Sequence, residues 1–351
     1  MELEKILDEV KANLTGDPLK DGPYLKEQSE KYRDAEFSQE LDREFARIIY
    51  EISEKDYHTT LYTFLDKENR NVNEQMNNAQ KRFDNLNFTA GLEILEQIIK
   101  NNFMAWNDTS DCTYKCFGTP LEYLLYTTIF EDKNNAKQIK PVNCNLARVY
   151  VMYCFGLTKK KRYDEAHNAI ERARELNPVD PEVYIQHAEL AKLTKNTEEL
   201  KMSAEMLLKC AVSKNQVGQA YFNYSFYYSE LKQFDKALAL LQMSKIFRES
   251  ELYKTELEYI TECMGLGHEP KMYTTNELMN ILIAENIQPG PSASVVHLAN
   301  QIAGELESEL DLKNAKYFYD IVFELTEDEG TREHIENLEK SLRNIKDFNK
   351  L

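Results

Sequence analysis

Apolar positions recur along most of this chain with the period of a helix rather than of a strand. Tyr150, Tyr153, Cys154 and Leu157 fall at i, i+3, i+4 and i+7, which predicts one face of a first helix. After a short polar turn, Tyr163, Ala166, Ile170 and Ala173 mark one face of a second. Asn177–Pro178 ends that helix, because the residue before proline is biased away from the helical region. The pattern returns in residues 218–251, with Tyr221, Tyr224, Ser225 and Tyr228 followed by Phe234, Ala237, Leu241 and Ser244. Between these copies, residues 181–217 carry Tyr184, His187, Ala188 and Ala191. About three extra residues in the turn "LTKNTEEL" then bring Ser203, Leu207 and Cys210 into register, and a one-residue shift to Ala204, Leu208 and Ala211 serves nearly as well.

Weaker copies lie on both sides. Residues 296–329 offer Ala299, Ile302, Ala303 and Leu306, then Leu312, Ala315, Tyr319 and Val322. Residues 72–105 offer Ala79, Phe88, Gly91, Leu95 and Ile98. Residues 252–287 read as a degenerate pair in which Thr274 and Glu277 form a capping box. Near the start, Phe37, Leu41, Phe45, Ile48, Ile49 and Ile52 trace a continuous helical stripe without a clear repeat. At the end, Ile335, Leu338, Leu342 and Ile345 share one face of a last helix. All nine prolines sit where a helix boundary is wanted, as the cost of about 3 kcal/mol for an interior proline requires.

The small residues have a mechanical purpose, since two helices can approach closely only where nothing larger than Ala, Ser or Cys intervenes. The pattern resembles the tetratricopeptide repeat, a helix–turn–helix unit of about 34 residues. Cys154, Ala166 and Ala173 stand at the family's small positions and Pro178 at its terminal proline, and the resemblance is clearest over 147–251. It implies an all-α, right-handed α-solenoid of roughly 12–16 helices. Residues 1–70 would be a helical cap or degenerate repeats, 71–330 the solenoid with an irregular insertion near 106–118, and 331–351 a capping helix. It also implies a binding surface on the concave face of the first helices: Arg148, Val151 and Phe155; Glu182, Ile185 and Glu189; Gln219, Phe222, Asn223, Phe226 and Tyr227. One subset of the family grips a terminal carboxylate with lysine, asparagine and arginine. The corresponding places here hold Val151, Phe155, Gln186, Gln219 and Asn223 with no cation, so that clamp is absent. Within "YFNYSFYY" (221–228), Tyr221, Tyr224 and Tyr228 belong to the core by register, which leaves Phe222, Phe226 and Tyr227 for an exposed stripe.

Composition supports helix: glycine (11) and proline (9) are scarce among 351 residues. A net charge of −17 argues against nucleic acid, because phosphate binding needs a basic stripe and only "TKKKR" (158–162) is locally basic. That run falls at a turn and reads as solvated loop, while the acidic balance suits basic partners. The acidic amphipathic opening "MELEKILDEVKANL" does not read as a leader, and no apolar run reaches the roughly 18 residues of a membrane span. A cytoplasmic setting with reduced cysteines follows as the expectation.

Chemistry-bearing residues are few. Trp106 and the C-x3-C pair Cys112 and Cys116 interrupt the repeats, and Cys144 is a third thiol in reach of a zinc-type set. No histidine lies closer in sequence than His167, so a partly buried loop carrying two separate thiols is the reading. Thr119, Pro120 and Glu122 open the next helix as N-cap, first-turn proline and capping-box glutamate. The six histidines show no ligand spacing, and His187 reads as a satisfied core-edge residue. No nucleophile motif or phosphate loop occurs. The expected function is a non-catalytic binder of proteins or peptides, with no metal and no cofactor. The alternatives are a peptide-sensing regulator with residues 1–70 as effector, and a metal or enzymatic site on Cys112 and Cys116.

Overall fold

The periodic segments become helix. In the computed structural model, residues 2–33, 58–102, 112–130, 137–142, 145–265 and 270–348 are described, with single positions between 35 and 48 and Asp108. Among them are sixteen α-helices and two short strands, and consecutive helices pack on one another. None of these helices is long and apolar enough to cross a membrane.

The chain divides into two units. The first comprises residues 1–116 and 135–162. Its α1 (Glu2–Ala12) and α2 (Pro18–Lys31) meet at a turn held by buried Asp21, and Pro23, expected at a helix boundary, lies instead inside α2. The Asp21 carboxylate accepts the N–H groups of Thr15 and Gly16 at 2.9 and 2.8 Å and the Thr15 hydroxyl at 2.9 Å. Leu3, Ile6, Leu7, Val10 and Leu25 cluster with Leu41, Phe45 and Ile48 of the predicted stripe, and Phe37 packs on the margin. Ile49 and Ile52 lie outside the described residues. Next come α3 (His58–Asp84) and α4 (Phe88–Asn102), packed on each other, and then β1 (Cys112–Lys115). The following helix, α5 (Pro120–Phe130), belongs to the second unit. The first resumes with β2 (Gln138–Pro141) and α6 (Leu146–Lys159), which packs on α4.

The stretch expected as an irregular loop is therefore a strand. β1 runs parallel to β2, with Cys112 opposite Gln138 and Lys115 opposite Pro141. Asp108 accepts the Tyr114 N–H at 2.8 Å and the Thr113 hydroxyl at 2.6 Å, so the strand is anchored from both its backbone and its side chain. Trp106 and Cys144 lie outside the described residues.

The second unit holds residues 117–134 and 163–351. Beside α5 it contains α7 (Tyr163–Leu176), α8 (Pro181–Thr194), α9 (Thr197–Cys210), α10 (Lys214–Glu230), α11 (Phe234–Phe247) and α12 (Leu252–Cys263). It continues with α13 (Thr275–Ala284), α14 (Ala293–Ser308), α15 (Leu312–Thr326) and α16 (Glu329–Phe348). From α7 to α12 each helix packs on the next, as do α14, α15 and α16. Helix α14 departs from this order, for it also packs on α5 and α9, far away in sequence. Units that touch only their sequence neighbours would make no such contact. The segment before α14 is fastened there too: the Tyr221 hydroxyl donates to the Gln288 carbonyl at 2.8 Å and accepts the Gly290 N–H at 2.6 Å.

One turn design recurs. Leu86, Lys161, Lys195, Lys232 and Leu310 all take the left-handed conformation, with φ between 58° and 65°. In each case the next residue donates its N–H to the carbonyl five residues back: Asn87 to Arg82, Arg162 to Leu157, Asn196 to Ala191, Gln233 to Tyr228 and Asp311 to Leu306. This closes the first helix by satisfying a carbonyl that would otherwise lack a partner. Three of the next residues then start the second helix as side-chain acceptors: Asn87 for Ala90, Asn196 for Glu199 and Asp311 for Asn314. Lys161 and Lys195 stand 34 residues apart, so the α8–α9 turn holds no insertion and the register expected through Ser203 and Cys210 is wrong. Counted from Lys195, the equivalents of Ala166, Ile170 and Ala173 are Leu200, Ala204 and Leu207, all buried. The extra three residues fall after them, in α10, which is 17 residues long where α8 has 14.

The expected capping box at Thr274 and Glu277 is present. That of α5 is displaced by one residue. Thr119 Oγ1 accepts the Glu122 N–H at 3.3 Å, but the Glu122 carboxylate reaches back to the Gly118 N–H at 2.8 Å, and it also accepts from Asn177 Nδ2 at 2.6 Å.

Two substitutions test this packing with opposite signs. Gly218 faces the start of the α11 exit, where an added Cβ would collide with Arg248 Cβ and approach the Ser244 carbonyl oxygen at 3.1 Å. Gly218→Ala is expected to cost about 1–3 kcal/mol in urea unfolding. At Gly304 a Cβ would meet only the Tyr319 hydroxyl, at 3.9 Å, so Gly304→Ala should gain about 0.5–1 kcal/mol. At the left-handed turn, Lys232→Gly is expected to raise stability by up to about 1 kcal/mol, whereas a loss would deny the strain assigned to that position.

Candidate functional site

Helix α10 is buried on nearly every side because α8, α9 and α11 all pack on it. This decides the fate of the expected aromatic stripe. Phe222 and Tyr227, expected on the open face, are buried, and Phe226 alone of the three stays partly accessible. Tyr227 sits edge-on to Tyr228 at 4.9 Å between ring centres. Gln219 and Asn223 are buried as well, joined by a 3.0 Å hydrogen bond from Gln219 Nε2 to Asn223 Oδ1.

Helix α8 supplies the cover. The Lys192 ammonium lies 5.2 Å from the Phe222 ring centre and 5.6 Å from that of Phe226, and it pairs with Glu189 at 2.7 Å. Cation–π attraction over two rings holds the lysine stem along the aromatic surface. Ile185 is half-buried beside the exposed Glu189, one turn apart on the same helix, and Leu193 is exposed. Glu256 of α12 accepts the Ser229 hydroxyl at 3.0 Å, and burial pushes its carboxyl above the usual range, with Lys192 opposing the shift. Of the groove residues expected on α8 and α10, Ile185, Glu189 and Phe226 therefore stay accessible, with Lys192 lying over Phe226 and paired with Glu189.

Of the remaining four predicted groove residues, Glu182 at the start of α8 is half-buried and accepts from Gln216 Nε2 at 3.3 Å, and the other three belong to the first unit. Arg148 is exposed and Val151 half-buried. Phe155 packs into an aromatic group with Phe83 and Phe88, at 5.7 and 6.3 Å between ring centres, with Lys159 Nζ 5.1 Å from its ring. Phe88 is the first residue of α4, directly after the turn at Leu86, so a turn residue and a first-helix residue meet there.

Cys112 and Cys116 are both buried at the ends of β1 and form no disulfide, in place of the partly buried loop expected. Among the described residues, the group of potential ligands that lies close enough to share a metal contains neither cysteine. His187, expected to be a satisfied core-edge histidine, is only 1% exposed, and neither of its ring nitrogens makes a hydrogen bond. Its Nε2 lies 3.4 Å from Glu199 Oε2 and 4.0 Å from Glu171 Oε1, within ion-pair range but outside hydrogen-bond geometry. Burial lowers the proton affinity of the ring, against the pull of Glu199 and Glu171.

Compared with known proteins, the chain matches no family model, and no curated protein is similar to it.

The raised carboxyl of Glu256 sets a pH dependence. A carboxylate held above its unfolded value, about 4.5, is destabilising once ionised, and that penalty disappears as pH falls through the folded value. Glu256→Gln is therefore expected to raise the Tm at neutral pH, with the difference from wild type shrinking towards pH 4. An unchanged Tm at pH 7.5 would show that the buried charge is fully compensated.

Proposed function

We propose that the chain is a tetratricopeptide-type helical-repeat protein that binds a protein or peptide segment without catalysis, in the cytoplasm. The recurring left-handed turns support the family reading: five helix ends close in one way, and two successive turns stand 34 residues apart. A right-handed superhelix belongs to the same reading. The binding reading is carried by the patch on α8 and α10, where Phe226 and Ile185 remain accessible beside Glu189 while their neighbours are buried.

Charge selects the partner. With a net charge of −17 and Glu189 at the margin of the patch, the segment that fits carries a lysine or arginine next to an aromatic or aliphatic side chain. The apolar side chain would rest on Phe226 and Ile185, and its cation would take the place of Lys192 at Glu189. Large apolar anchors at the centre of such a contact carry most of the binding energy.

A displayed peptide library sorted against the full chain tests this reading. Enriched sequences are expected to pair a basic with an apolar residue. An Ile185→Ala, Phe226→Ala variant with unchanged circular dichroism should bind them at least about tenfold more weakly, or about 1.4 kcal/mol. Enrichment of acidic sequences, or equal binding by the folded variant, would sink it.

A further inference from the structure

Three helices bring metal-ligating atoms together without any short sequence motif. His167 on α7, His187 on α8 and Glu199 in the first turn of α9 offer one ligand atom each, all within 4.8 Å of one another. The two oxygens of one carboxylate face the two rings: Glu199 Oε1 lies 3.6 Å from His167 Nδ1, and Glu199 Oε2 lies 3.4 Å from His187 Nε2. Tetrahedral zinc, with bonds of about 2.0–2.1 Å to nitrogen and oxygen, separates its ligand atoms by roughly 3.3 Å. These two separations are made to different oxygens of the carboxylate, and with one ligand atom from each residue the three lie within 4.8 Å of one another, so one oxygen and the two imidazoles need to draw together around an ion.

The environment points the same way. His187 is buried with no hydrogen bond to either ring nitrogen, and its Nε2 meets Glu199 and Glu171 only at ion-pair distance, a costly arrangement unless something accepts the lone pair. His167 and Glu199 keep 44% and 25% of their side-chain surface in solvent, which leaves an entry path. Glu171, one helical turn beyond His167 and 4.0 Å from His187 Nε2, borders the remaining position and is paired with Arg174. Two imidazoles and a carboxylate suit a borderline divalent ion far better than calcium or magnesium, which prefer all-oxygen shells.

We propose that His167, His187 and Glu199 form a three-ligand zinc site that ties α7 to the α8–α9 pair, with its fourth position bordered by Glu171. The site is separate from the Ile185–Phe226 patch and does not depend on the binding reading. Local spacing concealed it, because its ligands lie 20 and then 12 residues apart and come from three helices.

Calorimetric titration of the full chain, stripped with a chelator and then supplied with zinc chloride at pH 7.5, tests the proposal. One equivalent of zinc is expected to bind with a Kd below about 1 µM and to raise the Tm. Cobalt in its place should give the visible bands of a four-coordinate nitrogen–oxygen site. His167→Ala and Glu199→Gln alter partly exposed side chains and should keep the helical circular dichroism, yet each should weaken binding at least a hundredfold. A Cys112→Ser, Cys116→Ser variant should bind as wild type does. Absence of stoichiometric uptake would overturn the site. So would uptake unchanged by the His167 and Glu199 substitutions, or uptake lost only with the cysteines.

Discussion

Everything in this fold hangs on how a helix ends. The last carbonyls of a helix need donors, and here one residue in the left-handed conformation turns the chain so that the following N–H supplies one. The next helix starts within a few residues, and α4 then packs on α3, α9 on α8, α11 on α10 and α15 on α14. Leu86, Lys161, Lys195, Lys232 and Leu310 all hold this position, and none is glycine. A left-handed lysine or leucine is strained relative to glycine, so the packing on either side must hold the turn in place. Around Lys232, for example, Tyr228 at the end of α10 and Ala237 at the start of α11 are both buried.

The same geometry governs what stays accessible. Once α10 is pressed between α8, α9 and α11, its first-helix face is mostly interior, and Lys192 lies along the aromatic surface that remains. What stays accessible of the expected groove on these helices is thereby confined to the edge of α8 and to Phe226. The packing of α9 on α8 also brings Glu199, at the start of one helix, against His187 in the middle of the other. Patch and histidine cluster are thus two products of one packing arrangement.

Helix positions were legible because burying one stripe imposes a period of about 3.6 residues, and Tyr150, Cys154, Ala166 and Ala173 follow it. The register of the α8–α9 turn was not legible, since lysine at a left-handed position leaves no mark of the kind glycine would. The contact of α14 with α5 and α9 was hidden for a different reason: it joins segments far apart, and periodicity speaks only of the face a helix buries, never of the partner. Phe222 and Tyr227 misled because a helix with three neighbours buries residues that a helix with two would expose. The "CTYKC" strand was missed because two four-residue strands supply too short an alternation to read.

The claim on which the account rests is that five turns share one hydrogen-bonded design. Native-state hydrogen exchange at the amides of Asn87, Arg162, Asn196, Gln233 and Asp311 measures it directly, since each donates to a carbonyl five residues back. The account expects these amides to be protected as strongly as those in the last turns of the helices they close. Exchange at the rate of an unstructured chain, with the neighbouring helices protected, would contradict it.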